Sequence, residues 1–464
     1  MAVLPSELLQ SLEGLPGYDA SAFIAAHDSE DRITSTRINP FKFASEAAQT
    51  QLLKHFEPAE FSAVPWCDTG FYLSERPSFT FDPLFHAGAY YVQEASSMFL
   101  QQVFKQAVNG ERSLKVLDLC AAPGGKSTLL QSCLDNDSLL VANEVIKSRA
   151  ALLADNLTKW GTANTVVSNN DPRDFNKLAG FFDVMLVDAP CSGSGLFRRD
   201  PGAIDEWSPE NVTLCSQRQQ RILADALPAL KEDGILIYAT CSYSAEEDEA
   251  ILDWLMEHGA FESIGIALEP DWNIVESKSA KHGVNGYRFY PGKVQGEGLF
   301  MACLRKKEGE HFYQKQKQGA SLISKQDSLR MEKWLQPEHG MAFVQYKDDV
   351  IIFPHNLLNE FSILQKNLYL KKAGINAGQL TAKELIPSHA LALSNCIARD
   401  LPAIDLSKEE ALKYLRRDDL MVNVDRKGWN LMRYEQMNLG WAKILPNRMN
   451  NYYPKELRIL KEIQ

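Results

Sequence analysis

Two cysteines, one glycine-bearing loop and a spaced row of carboxylates are the residues of this chain whose types can do chemistry. Cys191 sits in Asp188-Ala-Pro-Cys-Ser-Gly-Ser-Gly195 and Cys241 in Ala239-Thr-Cys-Ser-Tyr-Ser244, each following an apolar run of strand length. A lone cysteine after a strand is usually a small core residue. Two of them at the ends of adjacent strands would instead meet where a ligand crevice opens, and a thiolate there is a nucleophile. Ser194 offers no esterase alternative, because Ser192 stands where a nucleophile elbow needs glycine.

The loop is Cys120-Ala121-Ala122-Pro123-Gly124-Gly125-Lys126, entered from the apolar run 115–119 and leading into a helical pattern. Paired glycines at such a turn let a ligand approach backbone amides and a helix N-terminus. A phosphate loop is excluded, since Cys120 holds the place of its first glycine. Glu144 closes the next apolar run, Asp171 the one after and Asp188 the fourth. With Asp118 they line the carboxyl edge on which open α/β sheets bind ligands. For any one such acid the alternative is a helix cap. The whole row suits the sulfonium and amino groups of S-adenosylmethionine better than it suits a triphosphate.

The elements that must position these residues follow the βαβ rhythm of a covered parallel sheet. Strands are predicted at 115–120, 138–144, 164–171, 183–190 and 235–241, and the segments 261–267 and 299–304 can complete the sheet. A helix is expected from Ser208 as cap and Pro209 at its first position, with Leu223, Leu227 and Leu230 as its apolar stripe and Asp233-Gly234 as the turn out. Ser244 and Glu247 read as the capping box of a further helix through Ile251, Leu252 and Leu255. A helix start that close would favour a thiolate at Cys241, while the acidic run Glu246-Glu247-Asp248 opposes it. The fold class expected is α/β: a Rossmann-like class I methyltransferase core over 101–307, behind an α+β lobe at 1–100. A linker at 308–332, a small domain at 333–395 and a terminal domain at 396–464 would follow.

At 464 residues the chain is long enough for several cores, and its 45% hydrophobic and 23% charged residues are those of a globular protein. No apolar run spans a membrane, and the first residues lack the pattern of a secretory signal. Eight cysteines without a C-x-x-C pair are expected to be reduced thiols in a cytoplasmic protein that holds no metal. The net charge of -11 is neutral evidence on a nucleic-acid partner, because residues 333–464 are net basic and a grip on RNA would be local.

One reaction asks for all of these parts. Carbon 5 of cytosine is too electron-poor to accept a methyl group, and a thiolate added to carbon 6 makes it nucleophilic. A carboxyl such as Asp188 can serve ring N3, and a base must remove the carbon-5 proton before the thiol leaves. Cys191 is a candidate for that last stage. Asp118-Leu-Cys-Ala-Ala-Pro-Gly-Gly-Lys126, Asp188-Ala-Pro-Cys-Ser-Gly193 and Ala239-Thr-Cys-Ser242 together resemble the Sun-type RNA cytosine-C5 methyltransferases. Arg37-Ile-Asn39, 90–98, Arg198-Arg-Asp-Pro201, Trp207-Ser-Pro209 and Gly296-Glu-Gly298 are similar to the bacterial RsmF subgroup, which acts on small-subunit (16S) ribosomal RNA. The segments 439–443, 447–448 and 453–455 resemble its PUA-like tail.

The resemblance implies that Cys241 is the nucleophile and that Cys191 assists release of the product. It also implies that the loop Cys120–Lys126, with Glu144, Asp171 and Asp188, holds S-adenosylmethionine. DNA cytosine methyltransferases use the cysteine of a Pro-Cys pair, which keeps Cys191 as the rival nucleophile. Pro172 departs from the small residue common in the family. For RNA contact the expected residues are Arg198 and Arg199 beside a flipped base, and Lys443 and Arg448 in a tail that interleaves basic and aromatic side chains. Arg37 and Asn39 are assigned to an RNA-facing lobe. The expected protein is a monomer. A tRNA methyltransferase, and a catalytically silent ribosome-assembly factor, are the alternatives; intact cysteines and glycine loop speak against the second.

Overall fold

The computed structural model describes residues 4–461, apart from 30, 58, 314–318, 338–339 and 421–425. Its first strands are β1 (Thr34–Ile38), β2 (Phe61–Ala63), β3 (Gly70–Leu73) and β4 (Tyr90–Val92), which form one sheet in the order β2-β3-β1-β4. The catalytic sheet follows with β5 (Lys115–Asp118), β6 (Leu139–Asn143), β7 (Thr165–Ser168), β8 (Phe182–Asp188) and β9 (Leu230–Thr240). Later in the chain come β10 (Phe261–Ser263), β11 (Val275–Lys278), β12 (Asn285–Phe289) and β13 (Leu299–Lys306). The order is β11-β12-β13-β9-β8-β5-β6-β7, parallel from β9 through β7, with β13 and β12 antiparallel.

Burial on both faces explains why these strands are apolar without alternation. Val116, Leu140, Val184 and Ile237 face one core with Phe99 and Val103. Leu117, Val141, Met185 and Leu236 face the other, with Leu223 and Leu252. The strand order reverses between β5 and β8, so the crevice of the sheet lies at their carboxyl ends. The glycine loop leaves β5 there and the Cys191 loop leaves β8.

The expected helix spans Pro209–Ala226, and Ser208 caps it by accepting the Asn211 amide at 3.1 Å. Its end differs from expectation. Leu227–Ala229 is a single 3-10 turn, and Leu230 already belongs to β9. The strand passes Asp233 and Gly234 through a bulge instead of starting after them. The capping box is absent: the next helix runs Glu249–His258 and starts at Asp248, and Glu247 is used elsewhere.

Beyond β13, the segment read as a linker carries a helix, Lys325–Glu332, and Phe312 packs edge-on against Phe181 with ring centroids 5.1 Å apart. The residues that follow build one sheet of their own and lend one strand to the sheet before them. A four-stranded sheet is built from β14 (Met341–Tyr346), β15 (Asp349–Pro354), β17 (Ile375–Leu380) and β18 (Leu385–Pro387). Between them β16 (Leu370–Ala373) leaves to pair antiparallel with β7, at the edge of the catalytic sheet.

The last sheet is β19 (Ala403–Asp405), β20 (Gly428–Tyr434), β21 (Met437–Leu445) and β22 (Arg448–Asn451). Its Met432, Leu439 and Tyr453 share a core with Ile38, Leu53, Leu73 and Tyr90 of the first lobe. The two ends of the chain are thus packed together. Among the described residues no helix is long and apolar enough to cross a membrane, and no group of three His, Cys, Asp or Glu side chains could hold a metal ion.

Candidate active site

Register along β8 and β9 brings the two cysteines together. Asp188 lies opposite Ala239, and the loops beyond are tied by the Gly195 amide donating to the Cys241 carbonyl at 2.8 Å. A Cβ on Gly195 would sit 2.7 Å from the Gly298 carbonyl oxygen and 2.8 Å from that of Cys241, so only glycine allows the approach. The result is a Cys191 Sγ to Cys241 Sγ distance of 3.0 Å between free thiols. The contact with Cys241, together with burial, raises the Cys191 pKa well above its ordinary value. Either sulfur can be the donor in this contact.

Glu247 is the residue that sequence reasoning misplaced. Its carboxylate accepts the Ser192 amide at 2.8 Å, the Ser192 hydroxyl at 2.5 Å and the Ser242 hydroxyl at 2.6 Å. It is buried, receives Gln219 as well, and so clamps the neighbour of each cysteine. The S-x-x-E spacing that suggested a cap arises from a turn in which the Glu247 amide bonds the Ser244 carbonyl.

The glycine loop is held from three sides. The Ala121 amide bonds the Asn143 carbonyl at 2.8 Å, Arg149 donates to the Ala122 carbonyl at 2.8 Å, and Asn156 donates to that of Pro123 at 2.8 Å. Gly124 has φ +112°, a left-handed conformation that starts the helix Gly125–Cys133. Cys120 lies inward with its thiol pKa raised by burial. Lys126 reaches across to Asp188, Nζ to Oδ2 2.8 Å. Burial works against its charge, yet Asp188 keeps the ammonium pKa above the ordinary lysine value.

Among the acids, Asp118 is fully buried and accepts from the Ser127 hydroxyl at 2.6 Å, leaving Oδ1 with no partner. Burial, then the charges of Asp188 and Glu144, push its pKa up to about 7. Glu144 accepts the Ile146 amide at 2.8 Å and faces Arg149 at 3.6 Å. Asp171 lies three residues past the end of β7, where it caps the short helix Pro172–Leu178 through the Arg173 amide. A cationic, amino-bearing ligand fits this set: one orphaned carboxylate oxygen and three further acids call for positive charge.

Several expected RNA contacts are occupied by the protein itself. Arg198 faces inward to Glu297 at 3.4 Å, both side chains 8% exposed, and also donates to the Asp31 carbonyl. Arg199 beside it is exposed. Arg37 is buried, not RNA-facing, donating to Gln93 at 2.9 Å and to Thr128 at 2.6 Å while its guanidinium lies 4.6 Å from the Trp160 ring centroid. Asn39 donates to the carbonyls of Gly88 and Trp160. Both residues dock the first lobe onto the helices flanking the glycine loop. In the tail Lys443 pairs with Glu384 at 2.5 Å over the Trp429 ring, Trp441 is core, and Arg448 is exposed.

A sheet with this strand order, a glycine loop after its first strand and acids along its carboxyl edge define a class I methyltransferase that takes S-adenosylmethionine. Family models match residues 4–95 (N-terminal domain of 16S rRNA methyltransferase RsmF), 105–305 (16S rRNA methyltransferase RsmB/F) and 401–459 (methyltransferase RsmF PUA domain). The chain belongs to the ribosomal RNA small subunit methyltransferase F family. It is 31% identical to the protein of that name from Vibrio campbellii, over 98% of this chain and 97% of the relative, and 30% identical to that from Vibrio atlanticus over 98% and 97%. Among solved structures, a methyltransferase homolog protein from Pyrococcus horikoshii superposes with TM-score 0.52 at 28% identity, covering 65% of this chain and all (100%) of that one.

Proposed function

We propose that this protein methylates carbon 5 of a cytosine in small-subunit ribosomal RNA, with Cys241 as the nucleophile. The observation that carries the reading is the pair of sulfurs 3.0 Å apart at the tips of adjacent strands, next to the Lys126–Asp188 pair. The relatives' names supply the RNA class, and a sequence-similar PUA domain is consistent with it.

The loop Cys120–Lys126, Glu144, Asp171 and Asp188 would hold S-adenosylmethionine, which when bound supplies an electrophilic methyl group on its sulfonium. Cys241 adds its sulfur to carbon 6 of the flipped base, and the displaced electron pair moves onto the ring. Asp188, the carboxylate paired with Lys126, takes the proton released by the Cys241 thiol and delivers it to N3 as sulfur bonds carbon 6, so the ring charge is neutralised there. Cys241 is taken as the attacking sulfur on the motif resemblance, and Cys191, 3.0 Å away, stands beside the bond that must later break. After carbon 5 is methylated, a base takes its proton, and the C–H electron pair re-forms the carbon 5–carbon 6 double bond. The Cys241–carbon 6 bond breaks with its pair returning to sulfur, and N3 gives its proton back to Asp188, with Cys191 assisting the release.

Incorporation of tritiated methyl into unmodified small-subunit rRNA tests this. Cys241→Ala should lower the rate at least ~10³-fold, and Cys191→Ala should accumulate a protein–RNA adduct that survives a denaturing gel. A fully active Cys241→Ala protein would overturn the assignment. Labelling of tRNA but not rRNA would overturn the substrate, and bisulfite sequencing of the product identifies the cytosine.

A further inference from the structure

A groove of about 330 Å³ opens between the first lobe and the catalytic domain, lined by Arg32, Arg76, Gln93, Glu94, Arg199 and Glu297. Its three arginines come from separate elements: Arg32 just before β1, Arg76 after β3, and Arg199 in the loop that carries Cys191. All three are exposed. Among the described residues none makes an ion pair, and Arg76 only stacks on Phe79, 5.2 Å from the ring centroid.

The two carboxylates in the groove, Glu94 and Glu297, are outnumbered by the arginines around them, Arg32, Arg76, Arg198 and Arg199. Glu297 is held by the buried Arg198. Glu94 accepts three backbone amides, from Ser96 at 2.8 Å, Ser97 at 3.0 Å and Glu297 at 2.9 Å. A chain of net charge -11 thus keeps a local surplus of guanidinium charge on one cleft. Burial of Arg198 does not waste its charge: it fixes Glu297, and with it the strap in which the Gly298 amide bonds the Gly195 carbonyl at 3.3 Å.

The groove also adjoins the reaction site on two sides. Gln93 in its wall lies 3.6 Å from where a Cβ on Gly125 would stand, and it accepts the Arg37 Nε–H at 2.9 Å. At its other end Arg199 follows the loop tied to the Cys241 carbonyl through Gly195. A strand of phosphodiesters crossing from one side to the other would present its neighbouring nucleotide to the cysteine pair. Guanidiniums on three independent elements match a ligand whose charges are spaced along a chain, not a single compact anion.

We propose that Arg32, Arg76 and Arg199 grip the phosphodiester backbone of single-stranded RNA flanking the target base, so that the first lobe forms one wall of the substrate channel. The inference rests on the RNA reading above and adds the residues that hold the strand.

The test uses the full-length protein with an rRNA fragment containing the target. Each single change to Ala should raise KM roughly 3- to 10-fold, and the triple variant about 100-fold, with kcat within about two-fold. The slope of log affinity against log salt should flatten by about 2, near 0.7 for each lost contact on a single strand. Arg→Lys variants should keep most of that slope, and S-adenosylmethionine affinity and thermal midpoint should not move. A triple Ala variant with the wild-type KM and salt slope overturns the groove while leaving the RNA reading intact. A wild-type protein that neither binds nor methylates RNA overturns both.

Discussion

Burial of Asp118 sets a cost that a single substitution can measure. Its carboxyl pKa stands at about 7, pushed up first by burial and then by Asp188 and Glu144. In the unfolded chain it titrates near 3.9. A raised folded pKa means that its contribution is fully present below pH ~4 and is lost as pH rises to about 7, because the folded state must then ionise a carboxylate with one partnerless oxygen. Asp118→Asn keeps the oxygen facing Ser127 and cannot ionise. Its thermal midpoint should exceed that of the wild type by more at pH 8.5 than at pH 5, the gap reflecting at most a few kcal/mol. Equal differences at both pH values would show that Asp118 is not held in that state. The same orphaned oxygen is what a cationic ligand would relieve, so added S-adenosylmethionine should narrow the advantage of the variant at high pH.

At the scale of elements, the work is done by tethers between loops. Glu247 touches no predicted reacting atom, but it is bonded to the residue after each cysteine. Glu247→Ala would leave the Ser192 amide and two hydroxyls buried without an acceptor, a loss of about 1–3 kcal/mol for each group left unmet. The cysteine loops would also be freed to drift. A shift near 1 Å costs on the order of 10²-fold in rate, so kcat should fall ~10- to 100-fold while S-adenosylmethionine affinity stays. An unchanged kcat would mean the clamp is only structural. Glu247 also marks where the sequence stopped being readable. The five parallel strands, the helix Pro209–Ala226 and the cysteine pair follow from apolar runs and turn residues, which are local signals. The clamp joins residues 55 apart in sequence, Ser192 to Glu247, and its S-x-x-E spacing imitates a helix cap. Arg198 and Arg37 misled for a similar reason, because a basic residue carries no mark of whether Glu297 or Gln93 waits inside the fold to receive it. Strands β11, β12 and β16 escaped notice since they are short and two of them carry lysine, and their place is fixed by tertiary pairing.

For the whole molecule, the closing sheet β19-β20-β21-β22 is a structural partner of the first lobe and not a pendant arm. Leu53, Tyr90 and Ile38 lean on Leu412, Met432 and Tyr453 in one shared core. Removing residues 401–459 should therefore expose apolar surface on the lobe, and the truncated protein should unfold several degrees lower and aggregate, rather than remain a sound enzyme with weaker RNA affinity. A single cooperative transition in calorimetry of the full chain, and failure of the truncated form to match it, checks this. The edge strand β16 has a consequence for how the chain is made. Ser168 of β7 pairs with Leu370 of β16, so the nascent catalytic sheet must wait for a stretch of polypeptide synthesised some 10–40 s later, at ~5–20 residues per second. During that interval β7 shows solvent or a chaperone a bare row of amides and carbonyls, and that edge of the methyl-transfer core is closed only once Leu370 has left the ribosome.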